Sequence, residues 1–169
     1  MALVLDGNGS MTVGNGDITG LATGALEATA IGSGAILQSL NTTTSVSVNL
    51  TNGVWVNSGL STNIVTKANN SKIAIIASVG FNLQSIPGNG ISFRITRGGS
   101  AIWAQGQTRY SGLSSTGDNE GWVTLIYIDS PSSSSGTTLT YEIQAYAHAS
   151  AGRVQDATDS SIILMEIAS

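Results

Sequence analysis

An all-β fold is what this sequence predicts: an antiparallel β-sandwich or jelly roll over residues 41–169, preceded by an extended arm over residues 1–40. Three observations carry the expectation. Apolar and polar residues alternate with a period of two in one segment after another, as on strands with one face turned inward. Turn signals built from Gly, Asn, Pro and Ser recur at short intervals between those segments. A period of 3.6 residues is nearly absent, and many short strands with regular turns favour a sandwich or jelly roll.

The arm comes first. Asp6-Gly7-Asn8-Gly9 and Gly14-Asn15-Gly16 break any regular pattern, and Asp6, Asp17 and Glu27 are the arm's only charges. Small residues separate the lone apolar Ile18, Leu21, Leu26 and Ile31. A short helix over Leu21–Ile31 would include Gly24, at a cost of about 1 kcal/mol. The expectation is an extended arm that orders against partner chains, with a flexible leader as the alternative. Met1–Leu5 is apolar but short and lacks a basic flank, so it is not expected to act as a secretory signal.

Strands follow. Val46, Val48 and Leu50 alternate with Ser45, Ser47 and Asn49, and Asn52-Gly53 then reads as a hairpin turn into Val54-Trp55-Val56, because both turn residues tolerate φ > 0. Ile73–Val79 is nearly continuous apolar sequence, expected to be buried on both faces. Pro87-Gly88-Asn89-Gly90 is a turn cluster. Ile91, Phe93 and Ile95 face one way, and Arg97-Gly98-Gly99-Ser100 turns the chain into Ala101–Ala104. Gln105–Glu120 is the longest stretch without strand character. Trp122–Asp129 places Trp122, Ile126 and Ile128 on one face and Val123, Leu125 and Tyr127 on the other. Ser130–Gly136 is a loop. Thr138–Ala149 sets Tyr141, Ile143, Ala145 and Ala147 against Glu142, Gln144, Tyr146 and His148. Gly152–Asp159 is a short strand and turn. Ile162–Ala168 has no polar face, so it lies between two sheets or turns its second face to another subunit.

Composition narrows the function classes. Only 9% of the 169 residues are charged, while 41% are hydrophobic and the mean hydropathy is +0.19. Disordered chains show the opposite balance. Ser (24), Thr (18), Asn (12) and Gly (21) dominate, which gives an uncharged surface rich in hydroxyls and amides, common in assembled structural proteins. The net charge of −4, with Lys67 and Lys72 as the only lysines, argues against nucleic-acid binding, which runs on phosphate neutralisation. No cysteine is present, which removes disulfides, thiolate metal sites and thiol nucleophiles. No apolar run reaches the roughly 20 residues of a spanning helix, so no membrane insertion is expected.

Candidate chemistry is sparse. His148 is the single histidine, expected to be structural, and no G-x-S-x-G elbow accompanies it. Asp118 with Glu120 reads as a solvated turn rather than a pair of glycosidase carboxylates. Asp156 and Asp159 read as turn formers. Asp6-Gly7-Asn8-Gly9 lacks the distal Glu of a calcium loop. No phosphate-cradling motif occurs. No catalytic residue, metal ligand or cofactor is therefore assigned. Aromatic rings stack on sugars, and Trp103 and Tyr110 flank the Gln105–Glu120 stretch with Arg109 between them. Trp103, Gln107, Arg109, Tyr110 and Asn119 are the candidate receptor contacts, with core packing of Trp103 and a subunit salt bridge of Arg109 as the alternative. Trp55 and Trp122 read as core residues.

Several segments together resemble a small β-domain of bacteriophage tail-fibre and related virion structural proteins, of the kind found in phages of cyanobacteria and other aquatic bacteria. They are Val54–Gly59 with Leu60, Ser71-Lys72-Ile73, Phe93 to Ile102, Leu125–Pro131, Thr140-Tyr141-Glu142-Ile143-Gln144 and Ile162–Ile167, spanning residues 38–168. The leader Asp17-Ile18-Thr19-Gly20-Leu21 is similar to fibre segments that dock onto the particle. The resemblance implies a homotrimeric knob on the virion, without enzymatic activity. The expected function is a short tail fibre or adhesin whose knob binds host surface polysaccharide and whose residues 1–40 dock on the tail or baseplate. The alternative is a capsid decoration protein whose arm clamps the shell. Ile163, Met165 and Ile167 are the trimer-interface candidates.

Overall fold

The structure, a computed structural model, describes residues 32–84, 89–106, 108–109, 118–155 and 159–169, with backbone alone at 84, 108, 109, 118 and 119. The strands are β1 (Ile36–Thr44), β2 (Val48–Leu50), β3 (Trp55–Val65), β4 (Lys72–Gln84), β5 (Gly90–Arg97) and β6 (Ser100–Ala104). They continue with β7 (Thr108–Arg109), β8 (Asp118–Asp129), β9 (Thr138–Ala147), β10 (Gly152–Val154) and β11 (Ser160–Ile167). All strand pairs are antiparallel.

Three pairs of short strands are interrupted halves of longer rows. β1 pairs with β11 and β2 with β10, while β11 and β10 both pair with the same side of the thirteen-residue β4. β6 and β7 likewise share one side of β5. The first sheet therefore runs β1/β2, β10/β11, β4, β8, and the second runs β3, β9, β5, β6/β7. The chain alternates between these four-row sheets in the order of a jelly roll, as its sequence predicts.

Alternation sends one face of each sheet inward. β4 contributes Ile73, Ile75, Ala77, Val79, Phe81 and Leu83, and β5 contributes Ile91, Phe93 and Ile95. β9 adds Tyr141, Ile143, Ala145 and Ala147, and β8 adds Val123 and Leu125. Two side chains from the edge rows, Trp103 of β6 and Tyr127 of β8, close one flank with ring centroids 6.3 Å apart.

Three expectations change. The strand read at 45–50 is split: residues 45–47 leave the ladder, and Val46 is exposed. Asn52-Gly53 does turn the chain, with φ +74° at Gly53, but β2 and β3 lie in different sheets, so it is a corner and not a hairpin. Gly53 N–H bonds to the Ala147 carbonyl there. Ile73–Val79 buries one face fully, while Ile76 and Ser78 on the other are only half-buried. In addition, β1 begins at Ile36, inside the segment read as arm. The β5–β6 hairpin is as predicted, with positive φ at both Gly98 and Gly99.

Gly152 shows how closely β10 approaches β4. A Cβ there would stand 2.5 Å from Leu83 Cδ2 and 2.9 Å from the Asn82 carbonyl oxygen. Gly152→Ala is expected to cost about 1–3 kcal/mol through this overlap. Urea denaturation of the variant would show it as a lower midpoint with an unchanged slope.

Candidate functional site

The outer face of the first sheet is apolar where a solvated sheet face would be polar. Register lines up Asn41, Ile163, Ile76 and Ile126 in one row, and Ser39, Met165, Ala74 and Ile128 in the next. Ile36 and Ile167 extend the patch at one end, beside Lys72. A hydroxyl row of Thr43, Ser161, Ser78 and Thr124 follows at the other end, and Trp122 stands beyond it, opposite Gly80. Charge returns in the row beyond, where Arg153, Asn82 and Glu120 lie in register and Glu120 accepts from Asn82 Nδ2 at 3.1 Å. Ile126 is 67% exposed, Ile36 60%, Trp122 59% and Ile128 55%. Ile126, Ile128 and Ile36 present on the order of 350 Å² of apolar surface on the near side of the hydroxyl row, within the range of a monomer's largest patch, and Trp122 adds a separate exposed ring beyond it.

The outer face of the second sheet has a different chemistry. Trp55 of β3 lies opposite Tyr146 of β9, with ring centroids 5.2 Å apart and planes tilted by 49°. The Arg94 guanidinium of β5 sits 4.4 Å over the Trp55 ring, and Arg94 Nε donates to Gln144 Oε1 at 2.7 Å. Asn57 Nδ2 donates to Glu142 Oε1 at 3.1 Å. His148 meets the edge of Tyr146 at 4.7 Å, and its Nε2 lies 2.8 Å from Ser92 Oγ. The rings and the guanidinium are half-buried, so their outer surfaces meet solvent.

Two buried polar clusters are structural. Tyr141 Oη donates to Asp129 Oδ2 at 2.7 Å, and Arg97 Nη1 donates to the same oxygen at 2.5 Å, tying β9, β8 and β5 together at one end of the sandwich. Burial first, then the neighbouring carboxylate, pushes the Tyr141 hydroxyl far above its ordinary range, so it stays a donor. The Arg97 guanidinium is raised as well: burial opposes its charge, but the bond to Asp129 and its negative charge prevail. Glu166 of β11, fully buried, accepts from Ser71 Oγ at 2.7 Å, Lys67 N at 2.8 Å, Ala68 N at 3.1 Å and Gln38 Nε2 at 2.5 Å. Burial alone would raise its carboxyl; the bonds from Ser71, Gln38 and the two amides outweigh that and hold it below the ordinary carboxylate value.

The sequence-predicted residues fall in several places. Ile163, Met165 and Ile167 share the outward side of β11, half-buried within the apolar face. Trp103 packs against the core margin and Tyr127, so its ring closes the sandwich. Arg109 pairs with Gly90 at the margin of the second sheet, whereas Asn119 pairs with Leu83 in the first. Gln107 and Tyr110 lie outside the described residues, as do Asp156, residues 1–31 and Pro87-Gly88. Trp55 and Trp122 are not core residues: each occupies an outer strand position, Trp55 in the ring cluster and Trp122 on the apolar face. The signal for Trp122, Ile126 and Ile128 was present in Trp122–Asp129, which is apolar on both faces just as Ile162–Ile167 is. Among the described residues, no group of three or more His, Asp or Glu could hold a metal ion, and no helix is long and apolar enough to cross a membrane.

No family model and no curated protein sequence matches the chain. Among solved structures it is similar to infectious bursal disease virus Gx strain, at 15% identity and TM-score 0.37 over 78% of this chain and 37% of that one. It is also similar to a mutant VP2 protein of infectious bursal disease virus, at 14% identity and TM-score 0.38 over the same shares. A VP2 subviral particle of that virus gives 12% identity and TM-score 0.31, covering 80% of this chain and 38% of that one. The chain thus spans little more than a third of the length of these structures' chains.

Proposed function

We propose that this chain is a virion structural protein, a short tail fibre or adhesin. Its jelly-roll knob trimerises through the outer face of the first sheet, its residues 1–40 dock on the tail or baseplate, and the knob binds host surface polysaccharide. The single observation that supports the reading is the apolar face of Ile76, Ile126, Ile128, Ile163 and Met165. A folded subunit that leaves such a face open is suited to having it covered, as obligate interfaces resemble a core cut in half. A jelly roll serves virus shells and lectins alike, and a fold alone assigns no role. The sparsely charged composition and the sequence resemblance to tail-fibre domains give the direction.

Immunogold labelling of intact particles with antibody against residues 41–169 tests the location. Label at the tail tip is the expected result. Label over the whole shell would replace the fibre by the capsid decoration protein of the alternative reading. Unlabelled particles would remove both.

A further inference from the structure

We propose that the outer face of the second sheet is a saccharide-binding platform centred on Trp55, Arg94, Gln144 and Tyr146. The proposal rests on the assembly reading in one respect: the two outer faces point in opposite directions, so covering the first leaves the second outward.

The chemistry of the platform selects the ligand. Arg94 covers one face of Trp55, and Tyr146 meets Trp55 and His148, so the half-exposed outer margins of the two rings are what meets the C–H face of a pyranose. Arg94 Nη1 and Nη2, Gln144 Nε2, Trp55 Nε1 and Tyr146 Oη donate to no protein acceptor among the described residues. They form a set of planar, directional donors around the rings. Arg94 and Glu142 balance in charge, so the platform is neutral and donor-rich, which suits hydroxyl-bearing neutral hexoses and gives a polyphosphate nothing to neutralise. The contrast with the opposite face is informative: outer positions beside the rings hold Asn57, Glu142 and Ser92 rather than aliphatic side chains. Pre-set stacking of Arg94 on Trp55 and its bond to Gln144 lowers the ordering cost on binding. Each site is weak alone, and several copies on one assembly gain avidity.

Saturation-transfer NMR on the full chain, with methyl glycosides of glucose, galactose, mannose, rhamnose and N-acetylglucosamine, tests it. Transfer from aromatic protons to at least one of these sugars is expected. Trp55→Ala and Gln144→Ala should each weaken it about tenfold. Gln144→Ala leaves both rings in place and guards against a folding defect in Trp55→Ala. Silence across the whole panel, or binding that survives both substitutions, overturns the platform. Sedimentation of the same samples separates the two readings. A monomer that binds sugar refutes the assembly and keeps the platform, whereas an oligomer that binds none does the reverse.

Discussion

Replacing Ile126 and Ile128 together by glutamate is expected to reduce the protein to its 17.2 kDa monomer while the monomer keeps the circular dichroism of a folded β protein. Both side chains are more than half exposed on the outer face of β8, so in an isolated subunit the new carboxylates stay in water. In an assembly they would be taken out of water without partners, at several kcal/mol per ion. Met165→Asp probes the β11 side of the same face and should act in the same direction. Sedimentation velocity provides the check. An unchanged oligomer would mean that the face is not an interface, and a wild type that already runs as monomer would end the assembly reading outright.

Glu166→Ala is expected to lower stability by about 3–5 kcal/mol, because Ser71, Gln38 and the amides of Lys67 and Ala68 lose their common acceptor inside the protein. The melting temperature should fall by on the order of 10 °C. Acid should mimic the loss. The folded carboxyl titrates below its unfolded value, so the unfolded chain binds the proton first. The stabilisation is complete above the unfolded value of about 4.3 and is lost as pH falls through the folded one. Calorimetry from neutral pH downward should show this acid limb in the wild type and a flatter one in Glu166→Gln. Matching acid limbs in the two proteins would assign the acid sensitivity to another group.

Period-two patterning made β5, β6, β9, β11 and the body of β8 legible, since residues such as Tyr141, Ile143, Ala145 and Ala147 alternate cleanly with polar neighbours; β7 and the first residues of β8, Asp118 to Glu120, fall inside the stretch read as lacking strand character and as a solvated turn. It assigned the inward face where one face is polar, as on β5 and β9, but not on β8 or β11, which are apolar on both. Patterning is blind to what lies across the sandwich, which is why Asn52-Gly53 read as a hairpin when it is a corner between sheets. The tryptophans misled for a related reason. Hydrophobicity assigns Trp55 and Trp122 to a core, but a strand position decides the face, and both stand on outward positions. The trimer candidates on β11 mark only one edge of the apolar face. Its more exposed part, Trp122, Ile126 and Ile128, comes from β8 and becomes one surface with β11 only through the pairing of each with β4. Glu166 was unreadable as an anchor because its four partners lie about 95 or more residues away in sequence.

The position of β8 at the margin of the first sheet has a kinetic consequence. Among the described residues its twelve-residue length pairs on one side only, with β4. It carries Asp118, Glu120 and Asp129 near its ends and neither lysine nor proline along its length. Natural proteins usually blunt such a margin with lysine, proline or a bulge. Among the described residues, one side of the β8 backbone ladder and an apolar flank are therefore left uncovered at the same time. If the proposed assembly forms, productive docking and wayward strand pairing are both bimolecular and compete for the same molecules. Raising the rate of synthesis accelerates both, so the proportion of soluble product depends on how quickly the first correct encounter shields β8, a race decided before thermodynamic stability has any bearing.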